Sequence, residues 1–550
     1  MADTRNWRYS GVPTGDAHPA ARPGADDGPE DERVPLHVGD GVVTILPAAA
    51  KADVKADPLA SPLALDVLPV EAAAVAGKVA GKVKGFSQRR QYLACCAVQA
   101  LSVMGGVCIA YSSSLIAALM ADDSELPVST QQSAWIASVL VLAVPVGAMV
   151  SLALGNVLGR LTLVRAMALP YCAGWAFIAT ANSVPQLLLG RLLLGVALGL
   201  SHSPLLLYVS EVADKNIRGG LSAIGTALAS LGVLLCYVMG AVMHWRTHAW
   251  ANCALPVVPI LAIQLVCTES PVWLRARGRL EAAAKASAFL YNDPDKVVSV
   301  PSKPSKPATE GKPDKAVNPW KMLFTDPMAY KPLIIVNLLF IIQQLVGIYI
   351  TIYFAVPLFQ KTGSTIDPYL TSILIGVVRV VGCTAVSLVM ARLGRRPLMI
   401  VSSLGQAVSM AASGTATYFI LRGDAVSSYW VVGGVLGYIA FGCLGWQAVP
   451  WCMMAEVFPH EVRSLAQPLN SSTAHIYMFL MLQLYPTLQD LLGGAAGIQL
   501  LFAVASLLSA VFVWVLLPET RGRTLGEIEQ YFRDNDTFLQ EKRRKRALKA

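Results

Sequence analysis

Long runs of apolar residues alternate with short polar segments from residue 92 to residue 517. A run of about 20 apolar residues can cross a bilayer only as a helix, because the backbone finds no water there to bond. We therefore predict an all-α membrane protein with twelve transmembrane helices, at residues 92–120, 133–153, 163–181, 186–208, 221–243, 249–268, 333–356, 369–390, 397–421, 429–454, 466–490 and 496–517.

The polar stretches divide the chain into five parts. Residues 1–85 are rich in Ala, Pro, Gly and Asp without a sustained period, which predicts a disordered N-terminal tail. Residues 90–270 and 332–518 each contain six predicted spans. Between them, residues 271–331 begin with a helix-like stretch and continue as a Lys/Pro-rich linker. A basic C-terminal tail occupies 519–550.

The basic residues orient the spans. Arg and Lys cluster on alternate polar segments, and the positive-inside rule places such segments in the cytoplasm. We expect both termini and the loop 271–331 to be cytoplasmic. On that side lie Arg160, Arg165, Lys215, Arg218, Arg392, Arg395, Arg396, Arg463 and the terminal KRRKR; on the other lie Arg246, Lys361 and Arg422.

Composition excludes several other classes of protein. Only 14% of residues are charged and 55% are hydrophobic, so a separate soluble domain is not expected. The net charge of +9 comes from residues beside helix ends, which does not indicate nucleic-acid binding. All ten cysteines lie in or beside apolar runs, and no nucleophile–base set, phosphate loop or metal-ligand spacing occurs. We expect no enzyme activity, cofactor or metal.

The two predicted halves repeat the same chemistry. PLLLYVSEVADKNIRG ends the fourth span and PWCMMAEVFPHEVRS ends the tenth, and each carries an acid seven residues before an arginine, Glu211 with Arg218 and Glu456 with Arg463. Two parallel six-helix halves are typical of transporters that bind substrate between the halves at mid-membrane.

An ordered set of motifs resembles the sugar porter family of the major facilitator superfamily over about residues 90 to 530. The run LGVLLCYVMGAVMHW, at 231 to 245, is further similar to the insect facilitated trehalose transporter group. The matching residues are Gly190-Arg191, Tyr208 to Glu211 with Arg218-Gly219, Glu269 to Leu274, Gln343 to Leu345 with Gly347, Gly394 to Arg396, Pro450-Trp451 with Glu456 and Arg463, and Pro518 to Gly522.

The resemblance implies a transporter that works as a monomer in the plasma membrane. It implies facilitative (uniport) transport of a sugar such as trehalose or a hexose by alternating access. The first span, between Gln91 and Ala121, has no Asp or Glu. Because proton-coupled sugar porters of this family carry their titrating acid there, uniport is the expected mode.

The resemblance also implies a conformational role for the charged repeats, in which the pairs Glu211–Arg218 and Glu456–Arg463 lock the halves together. Otherwise Arg218 and Arg463 are only topogenic charges. The remaining expected members of this network are Arg160, Arg392, Arg395 and Arg396. The family's acids before Arg160 and Arg392 are replaced by Gly159 and Ala391, which predicts a looser gate.

Two amides and one tryptophan are the first candidates for substrate contact. Gln343 and Gln344 offer donors and acceptors to hydroxyl groups without the desolvation of a charge. Trp451 follows Gly442, Gly445 and Pro450, a set that weakens span ten and lets the indole ring face a cavity. The alternatives are helix packing for the amides and a core aromatic role for Trp451.

Four other positions depart from the family's amide contacts and read Thr226, Tyr349, Arg379 and Ala474. Arg379 lies eleven positions into an apolar span, too deep to reach the interface. Facing a cavity it favours an anionic or strongly polar ligand; otherwise it pairs with a carboxylate such as Glu456, or with water.

Two further functions stay open from the sequence alone. One is transport of another polar or anionic solute, which Arg379 suggests. The other is a non-transporting membrane sensor that signals through its tails. Membrane lipid is the expected partner in each case. The basic stretch Lys78 to Arg90 beside the first span is read as a topogenic flank, with contact to anionic lipid as the alternative.

Overall fold

A computed structural model describes residues 87–213, 218–291, 319–521, 523 and 525–534, all within one compact unit, Asp66–Ala550. The predicted N-terminal tail, most of the Lys/Pro-rich linker and the KRRKR sequence lie outside the described residues. The Arg218 backbone is described as helical, but its side chain is not.

Helices and short turns make up the first described part of the chain. We call α1–α9 the first half. These helices are α1 (Ser87–Gln99), α2 (Ser102–Leu119), α3 (Thr130–Leu158), α4 (Arg160–Ala166), α5 (Ala168–Ala179), α6 (Val184–Val212), α7 (Arg218–Val242), α8 (Trp245–Ala254) and α9 (Val257–Val266), and two more follow them, α10 (Pro271–Ala276) and α11 (Leu280–Tyr291).

The second described part is also helical. We call α13–α21 the second half. The helices of this part are α12 (Pro319–Thr325), α13 (Pro327–Val346), α14 (Ile348–Tyr353), α15 (Ala355–Gln360), α16 (Pro368–Leu393), α17 (Arg395–Leu421), α18 (Ser428–Leu444), α19 (Val449–Glu456), α20 (His460–Leu491), α21 (Ala495–Leu516) and α22 (Leu525–Asp534).

Ten helical segments among the described residues are long and apolar enough to cross a membrane. They coincide with ten of the twelve predicted spans. Their surfaces carry exposed apolar side chains, including Leu265 at 83% and Val258 at 74% exposure, as lipid-facing helices require. The segments are Arg89–Leu119, Thr130–Gly155, Arg160–Ala179, Val184–Val212, Ile224–Val242, Trp245–Val266, Pro327–Val346, Pro368–Val386, Ser428–Met454 and Ala495–Leu516.

The other two predicted spans, 397–421 and 466–490, fall in α17 and α20, which are not among these ten segments. Both helices are long, with 27 and 32 residues, or roughly 40 and 48 Å at 1.5 Å per residue. Their apolar character is diluted by polar side chains that bond to neighbouring helices: in α17, for example, Ser413 donates to the Val431 carbonyl and Thr417 to the Gln499 side chain.

Close approach of α3 and α6 builds the first half around small residues. An added Cβ at Gly195 would lie 2.1 Å from the Leu140 carbonyl oxygen, and one at Gly199 would lie 2.1 Å from that of Val144. The two glycines are four residues apart and therefore share one face of α6. Because glycine has no side chain, the backbones of α3 and α6 can come into direct contact along this face.

The two halves meet along three sets of helices. α7 packs on α16, α3 packs on α20, and α2 packs on α14 and α15. Two hydrogen bonds cross the boundary, from the Val356 amide to Ser113 Oγ at 2.8 Å and from the Tyr237 hydroxyl to the Ile352 carbonyl at 2.8 Å. All four of these residues are buried, so the halves are in direct contact there.

Two central helices are interrupted. α13 ends at Val346, and Gly347 takes the left-handed conformation (φ 89°) that glycine adopts without strain. α18 ends at Leu444, and four residues separate it from the start of α19 at Val449. This second break lies where Gly442, Gly445 and Pro450 predict a weakened helix, and it brings the short helix α19 into the centre of the second half.

Candidate functional site

One end of the bundle carries two matching charge clusters, and we call it the basic face. In the first half, Arg160 Nη2 lies 3.0 Å from Glu211 Oε1. The Glu269 carboxylate accepts hydrogen bonds from the Arg160 and Leu161 amides at 3.0 and 3.1 Å. Glu269 therefore satisfies free N–H groups at the start of α4, where the helix dipole also favours a negative charge.

The second half repeats this arrangement. Arg395 Nη2 lies 2.7 Å from Glu456 Oε1. The Glu519 carboxylate accepts from the Arg395 and Arg396 amides at 3.1 and 3.0 Å, at the start of α17. Thr520 Oγ1 donates to the other oxygen of Glu456 at 2.7 Å. In both halves, then, an arginine at the start of a helix pairs with a glutamate, and a second glutamate caps the same helix.

The acid–arginine pairs differ from those that the seven-residue spacing predicts. Glu456 pairs with Arg395, whereas Arg463 donates to the Phe458 carbonyl at 3.0 Å. Glu456 is thus not paired with Arg463 in this conformation. The reason is the turn at Pro459, which ends the preceding segment and starts α20, so Arg463 is not on the same helix as Glu456. The side chain of Arg218, the predicted partner of Glu211, lies outside the described residues.

The other predicted members of the network have separate positions. Arg396 Nη2 donates to the Trp514 carbonyl at 2.6 Å, near the end of α21, and Arg392 is exposed in the last turn of α16. Each ion pair among the described residues joins two residues on the same side of the 292–318 segment. The pairs Arg160–Glu211 and Arg246–Glu125 lie within the first half, and Arg395–Glu456 lies within the second.

The glycines before α4 and α17 are required by the carboxylates that cap these helices. Gly159 and Gly394 have φ values of 93° and 85°, and an added Cβ at either would lie 2.7 Å from the Glu269 or Glu519 carboxylate. That carboxylate cannot move away without losing its backbone hydrogen bonds. Gly159 and Gly394 therefore occupy matching positions in the two halves, and glycine at both has the same structural reason.

We expect Gly394→Ala to lower the free energy of unfolding by about 2 kcal/mol or more, because it combines backbone strain with displacement of the Glu519 carboxylate. Gly423→Ala is the matched control, since Gly423 also has a positive φ (89°) but nothing within 4 Å of an added Cβ. Thermal unfolding of both variants in detergent measures the difference. Equal shifts in Tm for the two would contradict this account.

An aromatic cluster lies between the halves, and we call Trp451, Tyr349, Phe340, His475 and His202 the central cluster. The Trp451 ring lies 5.0 Å from Phe340, 5.8 Å from His475 and 6.2 Å from His202, between ring centroids. Trp451 Nε1 donates to the Tyr349 hydroxyl at 3.3 Å. His202 belongs to α6 of the first half and the other four to the second.

The central cluster is partly accessible. Trp451 and His475 are partly exposed and His202 is exposed, although all three lie on helices that cross the bundle. Indole, phenol and imidazole groups together present flat apolar faces and polar edges. That combination suits a ring that is apolar on its faces and carries hydroxyl groups around its edge.

The two predicted amides are buried on α13. Gln343 is fully buried, and its amide donates to the Trp446 carbonyl in the break between α18 and α19. Gln344 is 4% exposed. Gln343 Oε1 and Gln344 Nε2 have no hydrogen-bond partner. Gln343 thus holds the break in place, beside the helix that carries Trp451.

The positions that depart from the family are scattered. Thr226 is exposed on α7, and Ala474 is buried on α20. Tyr349 belongs to the central cluster. Arg379 is 5% exposed, and its Nη1 donates to Gln447 Oε1 at 2.8 Å. The suggested pairing of Arg379 with Glu456 was wrong, because Glu456 bonds to Arg395 and Thr520.

Sequence reasoning missed the two histidines of the central cluster and the capping role of two acids. His202 and His475 are single polar residues in apolar helices, and only the distances of their rings from Trp451 show that they meet there. Glu269 and Glu519 were noticed only as a repeat. Their positions directly after spans six and twelve could have predicted a shared role.

On the opposite face, Arg246 Nε donates to Glu125 Oε2 at 2.9 Å. This hydrogen bond, followed by the charges of Arg246 and His244, lowers the pKa of Glu125. The pair connects the loop after α2 to the start of α8 within the first half. This ion pair does not connect the two halves. The described hydrogen bonds that do so are the buried ones of Ser113 and Tyr237.

Comparisons with known proteins agree with this arrangement. In sequence, the chain is similar to the facilitated trehalose transporter Tret1 of Apis mellifera ligustica, at 28% identity over 80% of this chain and 88% of that protein. It is 31% identical to the facilitated trehalose transporter Tret1-2 homolog of Drosophila simulans, over 80% of this chain and 90% of that protein.

In fold, the chain is similar to the major facilitator superfamily proton:xylose symporter XylE bound to 6-bromo-6-deoxy-D-glucose. The TM-score is 0.63 at 19% sequence identity, over 81% of this chain and 100% of that chain. Residues 78–532 match the family described as "Sugar (and other) transporter". The chain therefore belongs to this sugar transporter family, whose members are multi-pass membrane transporters and not enzymes.

Proposed function

We propose that this protein carries a sugar across the plasma membrane by facilitated diffusion, with the two halves rocking about the central cluster. The observation that carries the proposal is the position of the Trp451 ring, which His202 of the first half and His475 of the second half both contact. A ligand on this ring touches both halves, so their closure around it is coupled to binding.

Twelve spans and cytoplasmic termini belong to this proposal. α17 and α20 are long enough to cross a bilayer, and adding them to the ten apolar segments gives six spans in each half. The basic face is then cytoplasmic by the positive-inside rule. Single cysteines introduced at exposed sites, at Lys285 on the basic face and Asp424 on the other, should be labelled from opposite sides of sealed cells.

The conformation is best understood as open toward the basic face. The two described hydrogen bonds that cross the boundary between the halves involve Val356 and Ile352, beside the start of α15. Thr226, near the start of α7, is exposed. The described ion pairs of the basic face remain within their own halves, so they do not hold that face closed in this state.

Transport without proton coupling is supported by the surroundings of Arg191. This fully buried arginine of α6 donates to the carbonyl oxygens of Cys108 and Ile136 and to Ser112 Oγ. Its partners are neutral, and the first span supplies no carboxylate. No carboxylate of the first span is therefore available beside Arg191 to bind and release a proton.

Purified protein in proteoliposomes tests the proposal directly. We expect counterflow of radiolabelled trehalose or glucose that is saturable and unchanged by a protonophore or an imposed pH gradient. Accumulation driven by the pH gradient would contradict uniport. Absence of counterflow for every saccharide would contradict sugar transport and favour a non-transporting sensor. The neutral sugars are the candidates because the related proteins are named as trehalose transporters.

The expected transporting unit is the single chain, since both halves that contribute to the central cluster belong to it. Lipid is its remaining partner, through the exposed apolar surface. Surface labelling of intact cells, followed by size determination in lipid nanodiscs, tests the plasma-membrane location and the monomer together.

A further inference from the structure

Arg379 places a positive charge near the middle of the membrane. It lies on α16, a helix of 26 residues, roughly 17 Å from the Pro368 end at 1.5 Å per residue. Its side chain is 5% exposed, and its Nη1 donates to Gln447 Oε1 at 2.8 Å. Its Nε has no hydrogen-bond partner.

This charge is not balanced by an acid. Among the described residues, no carboxylate lies within 4.0 Å of the guanidinium, and the contact that it makes is to a neutral amide. Removing an unpaired charge from water is unfavourable by several kcal/mol. An arginine at this depth is therefore expected to have a ligand-binding role or to face water.

The segment that holds the guanidinium leads directly into the central cluster. Arg379 donates to Gln447, and Trp451 of the cluster donates to the Tyr349 hydroxyl. Gln447 precedes Trp451 by four residues in the break between α18 and α19. The cation and the aromatic platform are thus supported by the same short segment of chain.

Arg379 also lies at the boundary between the halves. Gly376, three residues earlier on α16, packs against α7 so closely that an added Cβ would lie 2.8 Å from the Leu234 Cα. Tyr237 of α7 donates across the same boundary to the Ile352 carbonyl. An anion held by Arg379 would therefore sit where the two halves separate.

We propose that the preferred substrate is a monoanionic sugar, a sugar acid with one carboxylate, which binds Arg379 while its ring lies on Trp451. One guanidinium balances one negative charge and can hold a carboxylate with two parallel hydrogen bonds. A phosphorylated sugar, with a charge near −2, fits a single cation less well. This inference rests on the proposed transport function and names its substrate class.

Counterflow of glucuronate and glucose, measured side by side in proteoliposomes, tests the proposal. A hydrogen bond to a charged group contributes about 1.5–3 kcal/mol, so the wild-type protein should exchange glucuronate about tenfold or more faster than glucose at equal subsaturating concentration. Arg379→Gln should remove this preference by lowering the ratio of glucuronate exchange to glucose exchange about tenfold.

Arg422→Gln is the matched control. Arg422 lies at the end of α17 beside the Tyr418 ring and is exposed, so the variant loses the same net charge without altering the cluster. Its glucuronate preference should equal that of the wild type. Equal exchange of both solutes by the wild type, or equal loss of both in Arg379→Gln, would overturn the proposal in favour of a structural arginine.

Two further measurements keep the test decisive. If Arg379→Gln does not fold, Arg379→Lys retains the charge, and a folded Arg379→Lys without any glucuronate preference overturns the proposal. If no solute is exchanged, the transport function fails, but thermal shift still tests the site. Glucuronate should then raise the Tm of the wild type and not of Arg379→Gln; no shift in either overturns the inference.

Discussion

Replacement of Gly199 by alanine should prevent the first half from folding properly. The new Cβ would lie 2.1 Å from the Val144 carbonyl oxygen and 2.7 Å from the Ala148 amide nitrogen. Both are backbone atoms of α3, so no side-chain rotation relieves the overlap and the two helices must separate. We expect a loss of about 3 kcal/mol or more in the free energy of unfolding.

Gly433→Ala is the control for this prediction. Gly433 also lies inside a helix, α18, but nothing is within 4 Å of an added Cβ. There the substitution should be neutral or stabilise by up to about 1 kcal/mol, since alanine is the better helix former. Yield of monodisperse protein and Tm in detergent measure both variants. Similar behaviour of the two would show that α3 and α6 are not in backbone contact.

Removal of the Trp451 ring should have the largest effect on transport. Trp451→Ala deletes the surface that His202, His475 and Phe340 surround and the donor that reaches Tyr349. Loss of ring stacking and of one hydrogen bond is each worth about 1 kcal/mol, so exchange at subsaturating substrate should fall at least about tenfold. Counterflow in proteoliposomes measures the effect.

Trp430→Ala is the matched variant for Trp451→Ala, because Trp430 is 65% exposed near the start of α18. It should retain wild-type exchange. Trp451→Phe keeps an aromatic face and should retain part of the activity. A Tm close to the wild-type value for Trp451→Ala would separate loss of function from loss of fold. Full exchange in a folded Trp451→Ala would refute the central cluster as the binding site.

The spans were predicted better than the side-chain contacts that form the site. Hydropathy depends on local composition, and ten of the twelve predicted spans coincide with apolar helices. The break in span ten was also local, because Gly442, Gly445 and Pro450 stand within nine residues. Spans nine and eleven have the right length, but their apolarity is diluted by buried polar groups.

The pairing of charges could not be predicted in the same way. Glu456 and Arg463 are close in sequence, yet the turn at Pro459 separates their helices. Arg395 reaches Glu456 from 61 residues away. Gln343 was expected to contact ligand because amides suit hydroxyl groups. Only the proximity of the Trp446 carbonyl shows that its amide is already engaged.

The amino-acid sequence by itself determined that the chain is a membrane protein, the approximate positions of ten apolar segments, and that its two halves carry matching acids and arginines. These properties follow from short-range composition and from the requirement for backbone hydrogen bonds in lipid. Tertiary structure alone decided which acid meets which arginine, that His202 and His475 meet at Trp451, and that Arg379 has an amide as its partner. Those contacts depend on how helices distant in sequence cross and pack, which no local pattern encodes.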